Sequence, residues 1–364
     1  MRKLAWPPLF MLEACLRHDG VTVTGGQQAG THASLRNDDG EGGAIAVGEP
    51  LCGWTQPLPS GRDRARPPPL ILQTDHLESL DPMKLVRFGN PGEEKPGLID
   101  SDGAVRDLSS RIPDLAGAAL SPASLETLRA LDPKSLPLAP AGARLGPPVA
   151  GTRNFIAVGL NFADHARETG QEIPPEPILF SKAPNCIVGA CDDVMYPRNA
   201  QNMDWEVEIA FVVGSRARYV EEKDAMSHIA GFCISNDVSE RRFQVKRAGQ
   251  WLKGKSAETF GPLGPWLVTP DEISDVHNLA MSLDVNGERK QTGSTRTMIF
   301  SIPFLLAYVT EFMVLDPGDV VTTGTPPGVG SARSPREYLK AGDVMTLRID
   351  GLGEQRQTVV PFKM

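Results

Sequence analysis

Three acidic side chains in the middle of the chain have the types and spacing of a metal site. The stretch that begins at Asp204 alternates apolar and polar residues, so Glu206 and Glu208 are two positions apart. A period of two predicts a strand with both carboxylates on one face. They repel each other unless a cation lies between them, and hard divalent cations prefer carboxylate oxygens. A second apolar strand ends at a third acid, Asp237. The alternative for the two glutamates is a strand with one solvated face.

A histidine and a glutamate upstream have the spacing of a general base and its orienting group. His165 and Glu168 are three apart in residues 161–170, whose pattern predicts a loop followed by a short helix. Side chains three apart share a helix face and can form a hydrogen bond. A carboxylate that orients an imidazole fixes its tautomer and stabilises its protonated form. The alternative is an incidental surface pair.

Two lysines are candidates for a cation beside these groups. Lys182 ends a predicted strand, where it lies either in solvent or over a site for a carboxylate substrate. Lys255 lies in residues 249–256, which match the phosphate-binding pattern G-x-x-x-x-G-K-S letter for letter. A phosphate cradle needs a preceding buried strand, small residues and a helix that starts at the Lys-Ser pair. This segment is crowded by a tryptophan and a leucine, so we reject nucleotide binding and keep Lys255 as a cation near the acids.

The elements that position these residues are predicted to be short strands joined by tight turns. Asp102-Gly103 and Asn286-Gly287 predict hairpin turns. Apolar spacing predicts helices over residues 121–131 and 302–312. A Gly/Pro-rich loop, residues 322–330, suits close approach of the backbone to a ligand.

Composition and charge exclude several classes of protein. The 364 residues carry a net charge of −8, with a pI near 5.4, whereas nucleic-acid binding needs a basic face. No apolar run approaches the length of a transmembrane helix. The five cysteines have neither zinc-ligand spacing nor the pattern of a disulfide framework. We therefore expect a cytoplasmic protein that binds neither nucleic acid nor membrane.

The composition also divides the chain into three parts. Residues 1–82 are rich in Gly, Asp, Arg and Pro without a sustained period, which is typical of segments that cannot bury enough apolar surface to fold. Our hypothesis is that they form a disordered extension, translated from a start upstream of the native one at Met83. Residues 83–150 predict a small N-terminal α/β domain that ends in a Pro-rich linker, and residues 151–364 a catalytic domain.

Several motifs in a fixed order resemble one enzyme family. They are Gly159-Leu160-Asn161-Phe162-Ala163-Asp164-His165 with Glu168, Asp204-Trp205-Glu206-Val207-Glu208, Asn236-Asp237-Val238-Ser239 with Arg241 and Gln244, Gly254-Lys255, and Thr323-Gly324-Thr325-Pro326. Residues 154–364 are similar to the catalytic domain of the fumarylacetoacetate hydrolase family, and residues 83–150 resemble its N-terminal domain. The segments that begin at Met83 and Gly351 look most like the bacterial branch of 2,4-diketo-3-deoxy-L-fuconate and L-rhamnonate hydrolases, which are often labelled ureidoglycolate lyases.

The resemblance implies a fold and a cofactor. The fold is α+β and β-rich, a mixed β-sandwich or roll of the fumarylacetoacetate hydrolase type, and it is usually dimeric. The cofactor is Mg²⁺, with Mn²⁺ or Ca²⁺ as alternatives, held by Glu206, Glu208 and Asp237. The partner is a small 2-oxo acid of the acylpyruvate type, whose carboxylate and 2-oxo oxygen chelate the metal.

The resemblance also implies roles for the other side chains. His165, oriented by Glu168, would activate a water against the C4 carbonyl. Cleavage of the C3–C4 bond would leave a pyruvate enolate stabilised by the metal and Lys255. The substrate contacts would come from Arg241, Gln244, Lys182 and Thr325. A 3-deoxy-2,4-diketo six-carbon sugar acid would give pyruvate and lactate.

Three alternatives remain open at this level. The first is decarboxylation of oxaloacetate, which passes through the same pyruvate enolate and would make His165 less essential. The second is isomerisation or hydration of a 2-hydroxydienoate. A non-catalytic, metal-dependent binding protein is the alternative from another class, but it has no need of His165 and Glu168. The chain departs from the family at Phe162, where a tyrosine is usual, so a hydroxyl is lost and the ring is kept.

Overall fold

Short strands and a few helices make up the described part of the chain. A computed structural model describes residues 83–363, and the prediction of disorder for residues 1–82 lies outside the described residues. The strands are β1 Lys84–Phe88, β2 Lys95–Ile99, β3 Val105–Asp107, β4 Phe155–Gly159, β5 Ile178–Lys182, β6 Ile187–Gly189, β7 Val194–Met195, β8 Met203–Asp204, β9 Val207–Val213, β10 Ile229–Asn236, β11 Ser239–Glu240, β12 Gly261–Val268, β13 Ala280–Val285, β14 Glu288–Ser294, β15 Val320–Thr322, β16 Val344–Ile349 and β17 Gly353–Val360. The α-helices are α1 Pro122–Arg129, α2 Ala163–Thr169, α3 Arg241–Lys246, α4 Leu252–Lys255 and α5 Ile302–Phe312.

Ten of the strands form one mixed sheet. Its order is β3-β2-β1-β12-β10-β9-β15-β4-β5, and β6 pairs with β12 outside this path. β9, β10 and β12 lie at its centre, and every residue of these three strands is buried. Strands that are apolar along most of their length are typical of a sheet covered on both faces. The candidate acids in or next to β9 and β10 therefore lie in a buried part of the fold.

A five-stranded sheet covers one part of this central region. Its order is β14-β13-β16-β17-β7, and β13, β16 and β17 contact β9, β10 and β12. A separate two-stranded ribbon joins β8 to β11. The described fold is thus α+β and β-rich, with parallel and antiparallel pairs in mixed sheets, as predicted.

Several local predictions are confirmed by the hydrogen bonds that define them. Ser121 directly precedes α1 and its side chain caps the helix, and Ser301 caps α5 in the same way. Asn286 and Gly287 join β13 to β14 with positive φ angles of 53° and 79°, the conformation that an Asn-Gly hairpin turn needs. Turn chemistry and apolar spacing therefore predicted these elements well.

The first strand of the described chain belongs to the main sheet. β1 pairs in antiparallel fashion with β12, where Lys84 lies opposite Val268 and Leu85 opposite Leu267. β2 and β3 extend the sheet from there. The boundary proposed at residues 150/151 stays a prediction.

None of the helices in residues 83–363 is long and apolar enough to cross a lipid bilayer.

Candidate active site

The three predicted acids converge where β9 begins and β10 ends. Glu206 precedes β9, Glu208 is its second residue, and Asp237 follows β10 directly. Because β9 and β10 are antiparallel, with Ser235 opposite Glu208, these ends lie side by side. One oxygen from each acid lies within 4.8 Å of the others. The three residues are only 7%, 1% and 1% exposed, so the alternative of a solvated strand face is wrong.

Two cations neutralise Glu206. The guanidinium of Arg241 lies 2.6 Å from its Oε1, and the ammonium of Lys255 lies 2.8 Å from its Oε2. Burial works to raise the pKa of the Glu206 carboxyl, but Lys255 and Arg241 outweigh it and hold the pKa at about 2. Glu206 is therefore ionised at neutral pH.

Lys255 also holds Asp237, as expected for a cation near the acids. Its Nζ lies 2.6 Å from Oδ2 of Asp237. Burial works to lower the pKa of the Lys255 ammonium, but the charges of Asp237 and Glu206 outweigh it and raise the pKa. Lys255 belongs to α4 and is fully buried beside the acids. Since α4 begins at Leu252, before the Lys-Ser pair, the segment lacks the helix start of a phosphate cradle.

Glu208 differs from the other two acids. Its Oε2 accepts hydrogen bonds from the Thr322 hydroxyl and from the backbone N–H of Gly324. Among the residues that the structure describes, no cationic side chain forms an ion pair with it. Burial and the nearby charges of Asp237 and Glu206 raise its pKa well above the usual range. A buried carboxylate without a cation is costly, and a divalent cation would remove that cost.

The donor set fits a divalent metal ion. Each carboxylate oxygen has two lone pairs, so Glu206 and Asp237 can accept from lysines and still act as ligands. Three carboxylates without a sulfur or imidazole ligand are the chemistry of Mg²⁺, Mn²⁺ or Ca²⁺. Glu206, Glu208 and Asp237 would hold the ion.

Lys182 lies in a different place from the one expected. It was predicted either in solvent or over a carboxylate substrate, but it is fully buried at the end of β5. Its ammonium donates to Oδ1 of Asp237 at 2.6 Å, and to the carbonyls of Lys255 at 2.6 Å and Val238 at 3.4 Å. An ammonium has three hydrogens, so none is left for a substrate. Lys182 thus holds the Asp237 carboxylate through Oδ1, whereas Lys255 binds Oδ2.

The hydrogen bond predicted between His165 and Glu168 is present. Both residues lie on α2, and Nδ1 of His165 is 3.0 Å from Oε2 of Glu168. The carboxylate also accepts the backbone N–H of Gly328, at 3.0 and 3.1 Å from its two oxygens. Burial works to raise the pKa of Glu168, but these two hydrogen bonds outweigh it and lower the pKa. The imidazole is therefore held by an ionised carboxylate.

The residues expected to contact a substrate lie around the acids. Arg241 is bound to Glu206, and its NH1 donates to Oε1 of Gln244 at 3.2 Å. Thr325 is 5% exposed. Its hydroxyl donates to the Val207 carbonyl at 2.9 Å and accepts from Gln291 at 2.8 Å, so it already has protein partners on both sides.

The Gly/Pro-rich loop predicted to approach a ligand connects the two halves of the site. Gly324 donates to Glu208 at one end of the loop, and Gly328 donates to Glu168 at the other. The acids and the histidine are thus tied to the same short stretch of backbone.

Sequence reasoning missed the part played by Asp204. This residue is fully buried, and four donors point at its carboxylate. Its position at the head of the acidic stretch was the one available signal, because its partners are distant in sequence.

A β-rich mixed-sheet fold with three converging buried acids is the observed setting of the His165–Glu168 pair. Residues 154–360 match the family model described as fumarylacetoacetate (FAA) hydrolase, C-terminal. The chain belongs to this family.

Relatives support the same assignment. A protein of Burkholderia multivorans, provisionally named as a hydrolase, is 52% identical over 276 residues, which is 76% of this chain and 98% of that protein. The structure of a fumarylacetoacetate hydrolase from Exiguobacterium antarcticum is 34% identical and covers 77% of this chain and 100% of its own, with a TM-score of 0.68. A maleylpyruvate hydrolase from Sphingobium sp. SYK-6, solved with manganese(II) and pyruvate, is 26% identical with the same coverage and a TM-score of 0.65.

Proposed function

We propose that the protein is a metal-dependent hydrolase that cleaves the C3–C4 bond of a 2,4-dioxo acid. The products would be pyruvate and a carboxylic acid. The observation that carries this proposal is the convergence of Glu206, Glu208 and Asp237 beside Lys255. Glu208 and Glu168 each accept a backbone N–H from the loop of residues 322–330, which links the acids to the His165–Glu168 pair. A binding protein would need the acids but not an oriented imidazole.

The charge of the site supports an anionic substrate. Arg241 and Lys255 already bring two positive charges to Glu206 and Asp237. A divalent cation held by Glu206, Glu208 and Asp237 would add two more positive charges beside them. Clefts of positive potential attract anions.

The cation would supply Lewis acidity toward the 2-oxo group of the substrate. Arg241 and Gln244 are the groups of this chain that would bind the substrate carboxylate, because a guanidinium suits oxyanions. The ammonium of Lys255 would stabilise negative charge that develops on the pyruvyl oxygen, since its positive charge is fixed in a buried place.

His165 would move the protons. Nδ1 is held by Glu168, so Nε2 is the free nitrogen that takes a proton from water. The resulting hydroxide adds to the C4 carbonyl, and the C3–C4 bond breaks with its electron pair moving into the enolate. The imidazolium then returns the proton to C3, which becomes the methyl group of pyruvate. The other product leaves as a carboxylic acid and ionises in water.

The finer assignments are part of the proposal. We propose a 2,4-diketo-3-deoxy sugar acid as substrate, because the segments that begin at Met83 and Gly351 resemble the sugar-acid branch. We propose Mg²⁺ and a homodimer on the resemblance to the family as a whole, and a cytoplasmic location on the cysteine pattern. Manganese in the related maleylpyruvate hydrolase supports a divalent ion in general.

The test is a pyruvate-release assay with Mg²⁺ or Mn²⁺ over acylpyruvates, diketo-deoxy sugar acids and oxaloacetate. We expect turnover of a 2,4-dioxo acid, loss of turnover in EDTA, and a decrease of about 10²–10⁴-fold in kcat for His165→Ala. Calorimetry with Mn²⁺ should show unchanged metal affinity in this variant. His228→Ala is the control, since that histidine bonds to Ser215, outside the site.

The outcomes separate the alternatives. Turnover of oxaloacetate alone, with His165→Ala fully active, would indicate a decarboxylase. A shift of a dienoate absorbance without pyruvate would indicate an isomerase. Metal binding with no turnover of any of these acids would leave a binding protein.

A further inference from the structure

Asp204 uses the full hydrogen-bonding capacity of its carboxylate. Oδ1 accepts the backbone N–H groups of Trp205 at 2.9 Å and Gly330 at 2.7 Å. Oδ2 accepts Nε of Arg241 at 2.8 Å and the N–H of Ser331 at 2.9 Å. A carboxylate has about four lone-pair sites, and an amide in its place would set its NH₂ group against two of these four donors. The surroundings therefore suit a side chain that only accepts.

One of these partners leads to the acid cluster. Asp204 holds Arg241 through Nε, which leaves both terminal nitrogens free to point elsewhere. One terminal nitrogen lies 2.6 Å from Oε1 of Glu206, and the other donates to Gln244. The guanidinium is thus oriented by Asp204 on one edge and presented to the site on the other.

The other partners lead to the His165–Glu168 pair. Gly330 and Ser331 follow Gly328, whose N–H holds Glu168. The carbonyl of Gly328 accepts the indole N–H of Trp205 at 3.1 Å. Asp204 and Trp205 therefore fix both ends of the turn formed by residues 328–331.

This turn has no room to adjust. A Cβ atom on Gly328 would lie 2.0 Å from the Lys290 carbonyl oxygen, and one on Gly330 would lie 2.0 Å from the Glu337 carbonyl oxygen. Close packing of this kind transmits a displacement instead of absorbing it.

We propose that Asp204 is a positioning residue that fixes Arg241 and the seat of the His165–Glu168 pair at the same time. The effect of Asp204 on catalysis rests on the proposed function, whereas its effect on the positions of Arg241 and Glu168 does not. Loss of the Asp204 carboxylate should release both groups together. Displacements of about 1 Å cost about 10²-fold in rate.

The test compares Asp204→Asn with a matched variant, Asp319→Asn. Asp319 is 1% exposed and also accepts four donors, from Arg153, Asn154 and Asp316. Its partners lie outside the site. Hydrogen exchange by mass spectrometry would follow residues 328–331 and α2. Calorimetry with oxalate and Mn²⁺ would follow Arg241, because oxalate carries the carboxylate and adjacent oxygen of a pyruvate enolate.

We expect Asp204→Asn to speed exchange in both segments, to weaken oxalate binding about tenfold, and to lower kcat/KM for pyruvate release about 10²-fold. Asp319→Asn should change none of the three, although both variants lower the melting temperature. Equal exchange and equal oxalate affinity in the two variants would overturn the proposal. If the wild-type enzyme releases no pyruvate, the proposed function fails, and the exchange data still decide the role of Asp204.

A second variant covers the case in which Asp204→Asn does not fold. Asp204→Ser removes the carboxylate without setting an amide donor against the N–H groups of Trp205, Gly330 and Ser331. Faster exchange in residues 328–331 and α2 would support the proposal, and unchanged exchange in both would overturn it.

Discussion

The ammonium of Lys182 lies 2.6 Å from the backbone carbonyl of Lys255. The same ammonium binds Oδ1 of Asp237, and the side chain of Lys255 binds Oδ2. Two lysines that are 73 residues apart are thus joined to each other and to one carboxylate. Lys182 is structural support for the site, not a group on its surface.

Replacing Lys182 by methionine should destabilise the fold. The change leaves a buried carboxylate oxygen and two carbonyls without their donor, and breaking a buried ion pair costs about 3–5 kcal/mol. Urea denaturation measures the loss. Lys134→Met is the control, because its ion pair with Asp102 is 60% and 68% exposed and such pairs contribute about 0–1 kcal/mol. Similar unfolding midpoints for the two variants would contradict this role.

Replacing Glu208 by glutamine should have opposite effects with and without metal. Glutamine keeps the acceptor for Thr322 and Gly324 and removes repulsion from Glu206 and Asp237. In EDTA we expect a melting temperature higher by about 1–2 °C, the shift that about 1 kcal/mol produces in a chain of this size. With Mn²⁺ the stabilisation seen in the wild type should disappear, because a ligand is lost.

Differential scanning fluorimetry measures both effects for Glu208→Gln. Glu288→Gln, at a 68% exposed side chain, should keep the Mn²⁺ shift. A Glu208→Gln protein that melts lower in EDTA and keeps its Mn²⁺ shift would rule out a metal at this position.

The stability contributed by Glu168 should depend on pH in a defined direction. Hydrogen bonds from His165 and Gly328 outweigh burial and hold the pKa of Glu168 below its ordinary value of 4.5. A lowered folded-state pKa gives stability that is present above 4.5 and is lost as the pH falls through the lowered pKa. The difference in urea midpoint between wild type and Glu168→Gln should therefore be largest at neutral pH and shrink toward pH 3. Glu172→Gln, at an exposed position, is the control and should show no such trend. A difference in urea midpoint between wild type and Glu168→Gln that grows as the pH falls would contradict a lowered pKa for Glu168.

Alanine substitutions at two glycines would distinguish the cost of an unfavourable backbone conformation from the cost of a steric clash. Gly328 has φ of +107° and Gly342 has φ of +96°, but only Gly328 has neighbours that a Cβ would overlap. Alanine at Gly342 should cost about 1 kcal/mol from conformation alone. Alanine at Gly328 should cost more, and it should lower kcat because the clash moves the backbone N–H away from Glu168. Equal costs with unchanged kcat would show that the turn adapts. Urea denaturation and the pyruvate assay measure the two effects.

The sequence predicted those parts of the site that are encoded locally. Alternation found Glu206 and Glu208, helical spacing found the His165–Glu168 bond, and turn residues found the β13–β14 hairpin. Each of these patterns depends on residues within four positions of each other.

The misses involve partners far apart in the chain. The predicted continuous strand is broken at Trp205 and Glu206, because β8 pairs with β11 while β9 pairs with β10. Burial of both faces of β9 depends on contacts with β13 and β16 of the second sheet, which begin 67 and 131 residues after β9 ends. Asp204 and Lys182 gain their partners only through this long-range packing, so local patterns gave them no weight.

The place of β1 in the main sheet has a practical consequence for fragments of this protein. A piece trimmed to residues 154–360, the part that matches the family model, would lack the strand that pairs with Leu267 and Val268. The bared edge of β12 would present free amides and carbonyls to any neighbouring chain. Such a fragment should precipitate by edge-to-edge association, so a useful recombinant fragment has to include β1.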